Sequence, residues 1–125
     1  MRTSEPALSE ESGRAAAREL MALAQPPTAI VGGTDELAIG LLRGLRDAGL
    51  KVPDDVALVS FDEPGSADLL DPPLTSLDRH DAQLGRLAAE ALLRTLRGEA
   101  AAMGILRVPA ALSVRRSCGC GEDAA

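Results

Sequence analysis

Two acidic pairs stand where a parallel sheet would place its ligand contacts. Thr28-Ala29-Ile30-Val31 is a short apolar run closed by Gly32-Gly33, and Thr34-Asp35-Glu36 follows it. Val56-Ala57-Leu58-Val59-Ser60-Phe61 is a second such run, followed at once by Asp62-Glu63-Pro64-Gly65. Open parallel sheets bind ligands beyond the carboxyl ends of their strands. The first loop has glycines leading into a helix start, as phosphate loops do. It lacks Gly-Lys-Ser/Thr and the third glycine of a dinucleotide fingerprint, and Asp35 and Glu36 would repel a phosphate. With Asp62 and Glu63 they favour a neutral, hydroxyl-rich ligand or a cation, because carboxylates accept paired hydrogen bonds from sugar hydroxyls. The same acids equally serve as helix-capping groups and a turn aspartate. Spacing alone leaves both readings open.

Catalytic arrangements are less well supported. Asp62 and Glu63 are adjacent, so their side chains diverge and make no obvious acid/base pair. Ser60 lies outside any Gly-x-Ser-x-Gly elbow. His80, the sole histidine, has Asp78, Asp81 and Ser76 near it in sequence, but chain neighbours do not make a triad. It reads as an exposed loop histidine before a helix, with a small enzyme using Asp62 and His80 kept as a third option. Cys118 and Cys120 form a Cys-Gly-Cys. They are too few for tetrahedral zinc, so neither a metal nor a cofactor is expected. A redox or disulfide-like role competes with a pair of reduced thiols in a frayed tail.

The elements that would position these residues alternate between helix and strand. Ser9 caps a helix running to about Leu23, with Ala16, Leu20 and Leu23 on one face and Gly13 tolerated early. Gln25-Pro26-Pro27 stops it. Thr28 to Val31 then reads as a buried parallel strand. Thr34 caps a second helix carrying Leu37, Leu41, Leu42, Leu45 and Ala48, which ends at Gly49. After the Val52-Pro53-Asp54-Asp55 turn, Val56 to Phe61 completes a right-handed strand-helix-strand unit. Leu74 to Leu77 is a third strand. A helix from about Asp81 to Arg97 has Leu84, Leu87, Ala88, Ala91 and Leu92 on one face. Arg86, Glu90 and Arg94 line the other as a solvated, salt-bridged surface. Gly98 ends it, and Ile105 to Val108 and Ala111 to Arg115 are strand candidates around Pro109. The expected class is α/β, a parallel sheet flanked by helices.

Composition narrows the function further. The chain has 125 residues, enough for one domain at most. Hydrophobic residues at 46% and charged ones at 26% suit a globular rather than a disordered chain. One Phe and no Tyr or Trp argue against base stacking on RNA or single-stranded DNA. A net charge of −6 removes the basic footprint of a nucleic-acid binder. The charge is uneven: seven acids and one Lys lie from Asp47 to Asp71, and seven Arg with three acids from Arg79 to Arg116. That predicts two differently charged surfaces. No apolar run approaches the ~18 residues of a membrane span. The start, Met1 to Pro6, lacks an apolar signal core, so a cytoplasmic setting is expected.

Several segments become specific in combination. Pro27 to Val31, Thr34-Asp35-Glu36-Leu37-Ala38-Ile39-Gly40 and the stretch from Gly44 to Asp62, with its Gly49-Leu50-Lys51-Val52-Pro53-Asp54-Asp55-Val56, resemble the LacI/GalR family of bacterial transcriptional regulators. The likeness continues through Pro72-Pro73-Leu74-Thr75-Ser76-Leu77, Leu84-Gly85 and Val114-Arg115-Arg116-Ser117, covering roughly residues 9 to 118. The resemblance implies an effector-sensing core of the periplasmic-binding-protein-like (type I) fold. In that family, a helix-turn-helix headpiece and hinge helix bind the operator. A two-lobed core takes a sugar, nucleoside or purine between its lobes and forms the homodimer.

Only the last third or so of such a protein is matched, which implies an incomplete core with the headpiece absent from this chain. The resemblance divides it into a disordered lead (1–8), a partial effector-binding and dimerisation domain (9–118) and a disordered tail (119–125). Within the domain, 9–77 and 111–116 belong to the C-terminal lobe and 79–107 to the N-terminal lobe. The Leu84-Leu87-Ala91 stripe is then left without its covering lobe.

By position, Asp62 falls on the family's ligand-binding aspartate and Thr34 where an Asn usually stands. Arg79 takes the place of a frequent Gln, and Asp81 that of an apolar or aromatic cleft residue. Leu69 and Leu70 match a segment that packs across the family's dimer interface. The implied partners are a sugar or nucleoside-like effector and a second copy of the chain. DNA is contacted only through the headpiece, and no membrane is involved. The rival is the C-terminal half of a periplasmic sugar-binding protein, which shares the fold.

Overall fold

Glycine and alanine decide how closely the first two helices approach. α1 (Glu10–Met21) and α2 (Asp35–Asp47) pack against each other through Gly13, Ala17, Gly40 and Gly44, all buried. A Cβ at Gly40 would lie 2.2 Å from the Glu10 carbonyl oxygen, and one at Gly13 2.4 Å from that of Leu37. Gly13 is therefore a contact surface rather than a tolerated weakness. Both helix starts are capped as their sequences predict. Ser9 Oγ accepts from the Ser12 N–H at 3.2 Å and Thr34 Oγ1 from the Leu37 N–H at 3.3 Å. Gly49, at φ 75°, takes the left-handed conformation that lets the chain turn away from α2.

The computed structural model describes residues 8–99 and 104–120. Most of the expected lead and tail, and part of the expected 79–107 segment, lie outside the described residues. The chain divides into two compact units, Met1–Leu77 with Leu112–Ala125, and Asp78–Ala111. The first holds α1, α2 and most of a four-stranded sheet in the order β1 (Ala29–Gly32), β2 (Ala57–Ser60), β3 (Thr75–Asp78), β4 (Ala111–Ser113). β1 pairs parallel with β2, and β2 with β3. The class is α/β, with a mostly parallel sheet flanked by helices.

The core lies on one sheet face. Ile30, Leu58 and Leu74 pack with Ala38, Leu41, Leu42, Leu45 and Val56, and Ala16, Leu20 and Met21 lie against its margin. The opposite face is more open, and Val31 is 68% exposed. The expectation of a fully buried strand from Thr28 to Val31 is thus corrected, since β1 alternates exposed and buried. An apolar run shows that both faces are hydrophobic, not that both are covered. Leu23, expected on the buried face of α1, lies beyond the helix and is exposed.

The second unit is built on α3 (Asp81–Leu96), preceded by His80 in the left-handed conformation and followed by Gly98 at φ 72°. Arg86 and Glu90 form the i,i+4 ion pair at 2.7 Å. No α3 residue is buried; Leu87 is half-covered, while Leu84, Leu92, Leu93 and Leu96 are exposed. Ile105 to Val108, expected as a strand, carries no strand structure. A strand needs a neighbour to satisfy its backbone groups, and this segment pairs with none among the described residues.

Candidate functional site

The register of the sheet sets two loops side by side. Gly32 pairs with Ser60, and the Phe61 N–H donates to the Gly32 carbonyl oxygen at 2.8 Å. Thr34 and Asp62 therefore each stand two residues beyond a matched pair, at the carboxyl ends of adjacent parallel strands. Thr34 is half-buried, and its oxygen holds the first turn of α2. Asp35 Oδ1 accepts the Glu36 N–H at 3.0 Å, so this acid is occupied with its own helix start. Asp62 is half-buried, with Phe61 exposed beside it. Carboxylate, hydroxyl and an apolar surface together suit a polyhydroxylated molecule with a hydrophobic face.

Arg79 and Asp81 lie in the second unit, where Arg79 Nη2 meets Asp81 Oδ2 at 3.0 Å. His80 is held by Asp78, whose Oδ1 accepts the His80 backbone N–H at 2.7 Å and whose Oδ2 lies 2.9 Å from Nδ1. Ser76, another candidate neighbour, is buried and accepts from Arg115 Nη1 at 2.9 Å. Its hydroxyl is committed to structure.

Arg115 is the residue that sequence reasoning missed. Its guanidinium reaches Glu63 Oε1 and Asp68 Oδ1, each at 2.5 Å, and the Leu74 carbonyl oxygen at 2.9 Å. Its backbone exchanges hydrogen bonds with Thr75 Oγ1 at 2.8 and 3.0 Å. Burial works against its charge, but its hydrogen bonds to Glu63 and Asp68 outweigh that, and the proton is held more tightly than on an ordinary arginine. Ser117 does comparable work on the sheet. Its fully buried Oγ donates to the Leu58 carbonyl oxygen at 2.6 Å and accepts the Thr75 N–H at 2.8 Å, bridging β2 and β3. The uneven charge along the sequence was a usable signal. Glu63 and Asp68 come from the acidic stretch and Arg115 from the basic one, so here the two meet instead of forming separate surfaces.

Leu69 and Leu70, expected together at a dimer interface, differ in environment. Leu69 is 86% exposed, whereas Leu70 packs against the core. Among the described residues no cluster of three or more His, Cys, Asp or Glu side chains could hold a metal, and no helix is long and apolar enough to cross a membrane.

The periplasmic binding protein-like domain model matches residues 2–118. The transcriptional repressor CytR of Escherichia coli K12 is 35% identical over 107 residues, covering 86% of this chain and 31% of that protein. The lactose operon repressor of Rhizobium radiobacter is 38% identical over 88 residues, covering 70% of this chain and 78% of that protein. Among solved structures, a LacI-type regulator from Bacillus cereus superposes with a TM-score of 0.85 at 38% identity, over 89% of this chain and 39% of its own. A LacI family regulator from Enterococcus faecium with bound ribose superposes with a TM-score of 0.76 at 29% identity, over 87% and 40%. The chain thus spans about a third of the length of CytR and two-fifths of these solved chains.

Proposed function

The chain belongs to the periplasmic binding protein-like domain family in its LacI-type transcriptional-regulator branch, and from that membership we propose that it serves as an effector-sensing and dimerisation segment of such a regulator. The effector in this reading is a sugar or nucleoside-like small molecule, bound in the complete protein. One observation carries it: the Gly32–Ser60 register puts Thr34 and Asp62 at matched positions past two adjacent strand ends. Asp62 accepts two ligand hydroxyls, each charge-assisted bond contributing about 1.5–3 kcal/mol when water is excluded. Thr34 donates its hydroxyl while its oxygen continues to cap α2. Arg79 and Asp81 belong to the other unit, where they pair with each other. The ribose held by the Enterococcus faecium relative supports the choice of ligand class.

The same membership supports the remaining assignments of this proposal. Leu69 serves self-association into a homodimer. Operator contact belongs to a headpiece outside these elements, since a chain of net charge −6 lacks the phosphate-neutralising surface. The segment is not an enzyme, and it works in the cytoplasm, where transcription is regulated. Repressors among the relatives favour this reading over a periplasmic sugar carrier.

Titration of the segment restored to a complete two-lobed core with pentoses, hexoses, disaccharides and nucleosides, followed by amide NMR shifts, tests the reading. Shifts at Gly33, Thr34, Asp62 and Glu63 that disappear in Asp62→Ala are expected for at least one ligand class. No site shift with any class, or shifts unchanged in Asp62→Ala, overturns it.

A further inference from the structure

We propose that Cys118 and Cys120 form a redox-active dithiol, which a low-molecular-weight disulfide such as glutathione disulfide converts into an intrachain Cys118–Cys120 disulfide. This goes beyond effector binding and does not depend on it. The pair was expected in a frayed tail, yet its first member is anchored. Arg116–Cys118 forms a 3-10 turn whose central residue, Ser117, is fully buried and bonded to both β2 and β3. The Cys118 thiol donates to the Arg115 carbonyl oxygen at 3.3 Å. Gly119, at φ 73°, then turns the chain back, and the Cys120 backbone N–H donates to Cys118 Sγ at 3.3 Å. Only glycine adopts that conformation without strain, so the residue between the cysteines is the one the turn requires.

This geometry gives the two sulfurs different chemistry. Burial raises the Cys118 pKa, but hydrogen bonds, chiefly with Cys120, outweigh it and bring the thiol below its ordinary value. Cys120 moves the other way, chiefly because its thiol is engaged by Cys118. Because its sulfur already accepts the Cys120 N–H, half-buried Cys118 is the nucleophile, and Cys120 is the exposed resolving thiol. On losing its proton to solvent, Cys118 gives up its bond to the Arg115 carbonyl and keeps the Cys120 N–H, a contact that strengthens onto a thiolate. The thiolate attacks one sulfur of the small disulfide, whose S–S bond breaks and whose other half leaves as a thiolate. Cys120 then loses its proton and attacks the Cys118 sulfur, expelling the second small thiol. Two protein thiols are oxidised by two electrons, and one disulfide is reduced to two thiols. The chain has no other cysteine, so nothing within one molecule competes for the product. In a reducing compartment, disulfides are characteristically transient and serve sensing or catalysis rather than architecture.

Incubating the 125-residue chain with glutathione disulfide near neutral pH, acid quenching and intact-mass measurement test the proposal. The expected product is lighter by two hydrogens and reverts on adding reduced glutathione. Cys118→Ser and Cys120→Ser should each stop at a single glutathione adduct, forming several-fold faster on Cys118 than on Cys120. Competitive alkylation of the unsubstituted chain reads the same ordering without any substitution, and that advantage should vanish in urea. A wild-type chain that accumulates stable glutathione adducts or disulfide-linked dimers overturns the proposal. So does equal reactivity of the two thiols, or an advantage of Cys118 that persists in urea.

Discussion

Arg115 Nη2 lies 2.5 Å from Glu63 Oε1, tying the neighbour of Asp62 to a side chain 52 positions further along the chain. The Arg115 side chain is only 15% exposed, and the same guanidinium holds the far more exposed Asp68. One planar fork therefore positions both the loop that follows β2 and the segment leading to Leu69.

Arg115→Ala should lower stability by about 3 kcal/mol, because it strands a half-buried carboxylate and removes several charge-assisted bonds. Arg115→Lys keeps the charge but not the fork and should recover less than half of that loss. Asp68→Asn should cost under about 1 kcal/mol, its carboxylate being solvent-screened. Urea unfolding of the three variants checks the order, and equal losses from Asp68→Asn and Arg115→Ala would remove Glu63 from its assigned role.

Ser117→Ala should cost about 1–3 kcal/mol, since the buried Thr75 N–H and Leu58 carbonyl lose their shared partner. Hydrogen exchange at Thr75 should accelerate more than exchange within α2. Unchanged protection there would mean that the strands do not rely on this bridge.

Two glycine-to-alanine changes should act in opposite directions. Gly40→Ala puts a methyl group against the Glu10 backbone and should destabilise by about 1–3 kcal/mol as α1 is pushed away. Gly85, in α3, has nothing within 4 Å of an added Cβ. Gly85→Ala should strengthen that helix by about 1 kcal/mol through backbone entropy alone. Thermal unfolding followed by circular dichroism separates the two, and a stabilising Gly40→Ala would contradict the close helix contact.

Leu69→Asp should leave unfolding within about 0.5 kcal/mol of the parent, because Leu69 packs on almost nothing in the chain. It should nonetheless shift light scattering towards the monomer. Leu70→Asp should instead destabilise the fold, because it would place a charge against the core. Parent and Leu69→Asp chains of equal mass in solution would sink the proposed role of Leu69 in self-association.

What the sequence determined by itself is what depends on short-range chemistry. Ser9 and Thr34 cap their helices, and Gly49 and Gly98 end theirs, because each acts through hydrogen bonds or backbone angles within a few residues. The parallel strand-helix-strand unit, and with it the placement of Asp62 past a strand end, follows from apolar periodicity and loop length. Tertiary structure alone decided what covers each apolar surface. Val31 and Val59 read alike in sequence, yet Val31 is exposed and Val59 half-covered. Ile105 to Val108 has strand-like residues but no partner among the described residues. Gly13 and Gly40 look like weak helix positions until the opposing backbone is known. Arg115, Ser117 and Cys118 owe their roles to groups mostly some 40 or more positions away, or to a turn that those distant bonds anchor. Periodicity reports which face of an element is apolar, but a long-range hydrogen bond leaves no periodic trace. Its donor and acceptor are chosen only when the chain closes on itself.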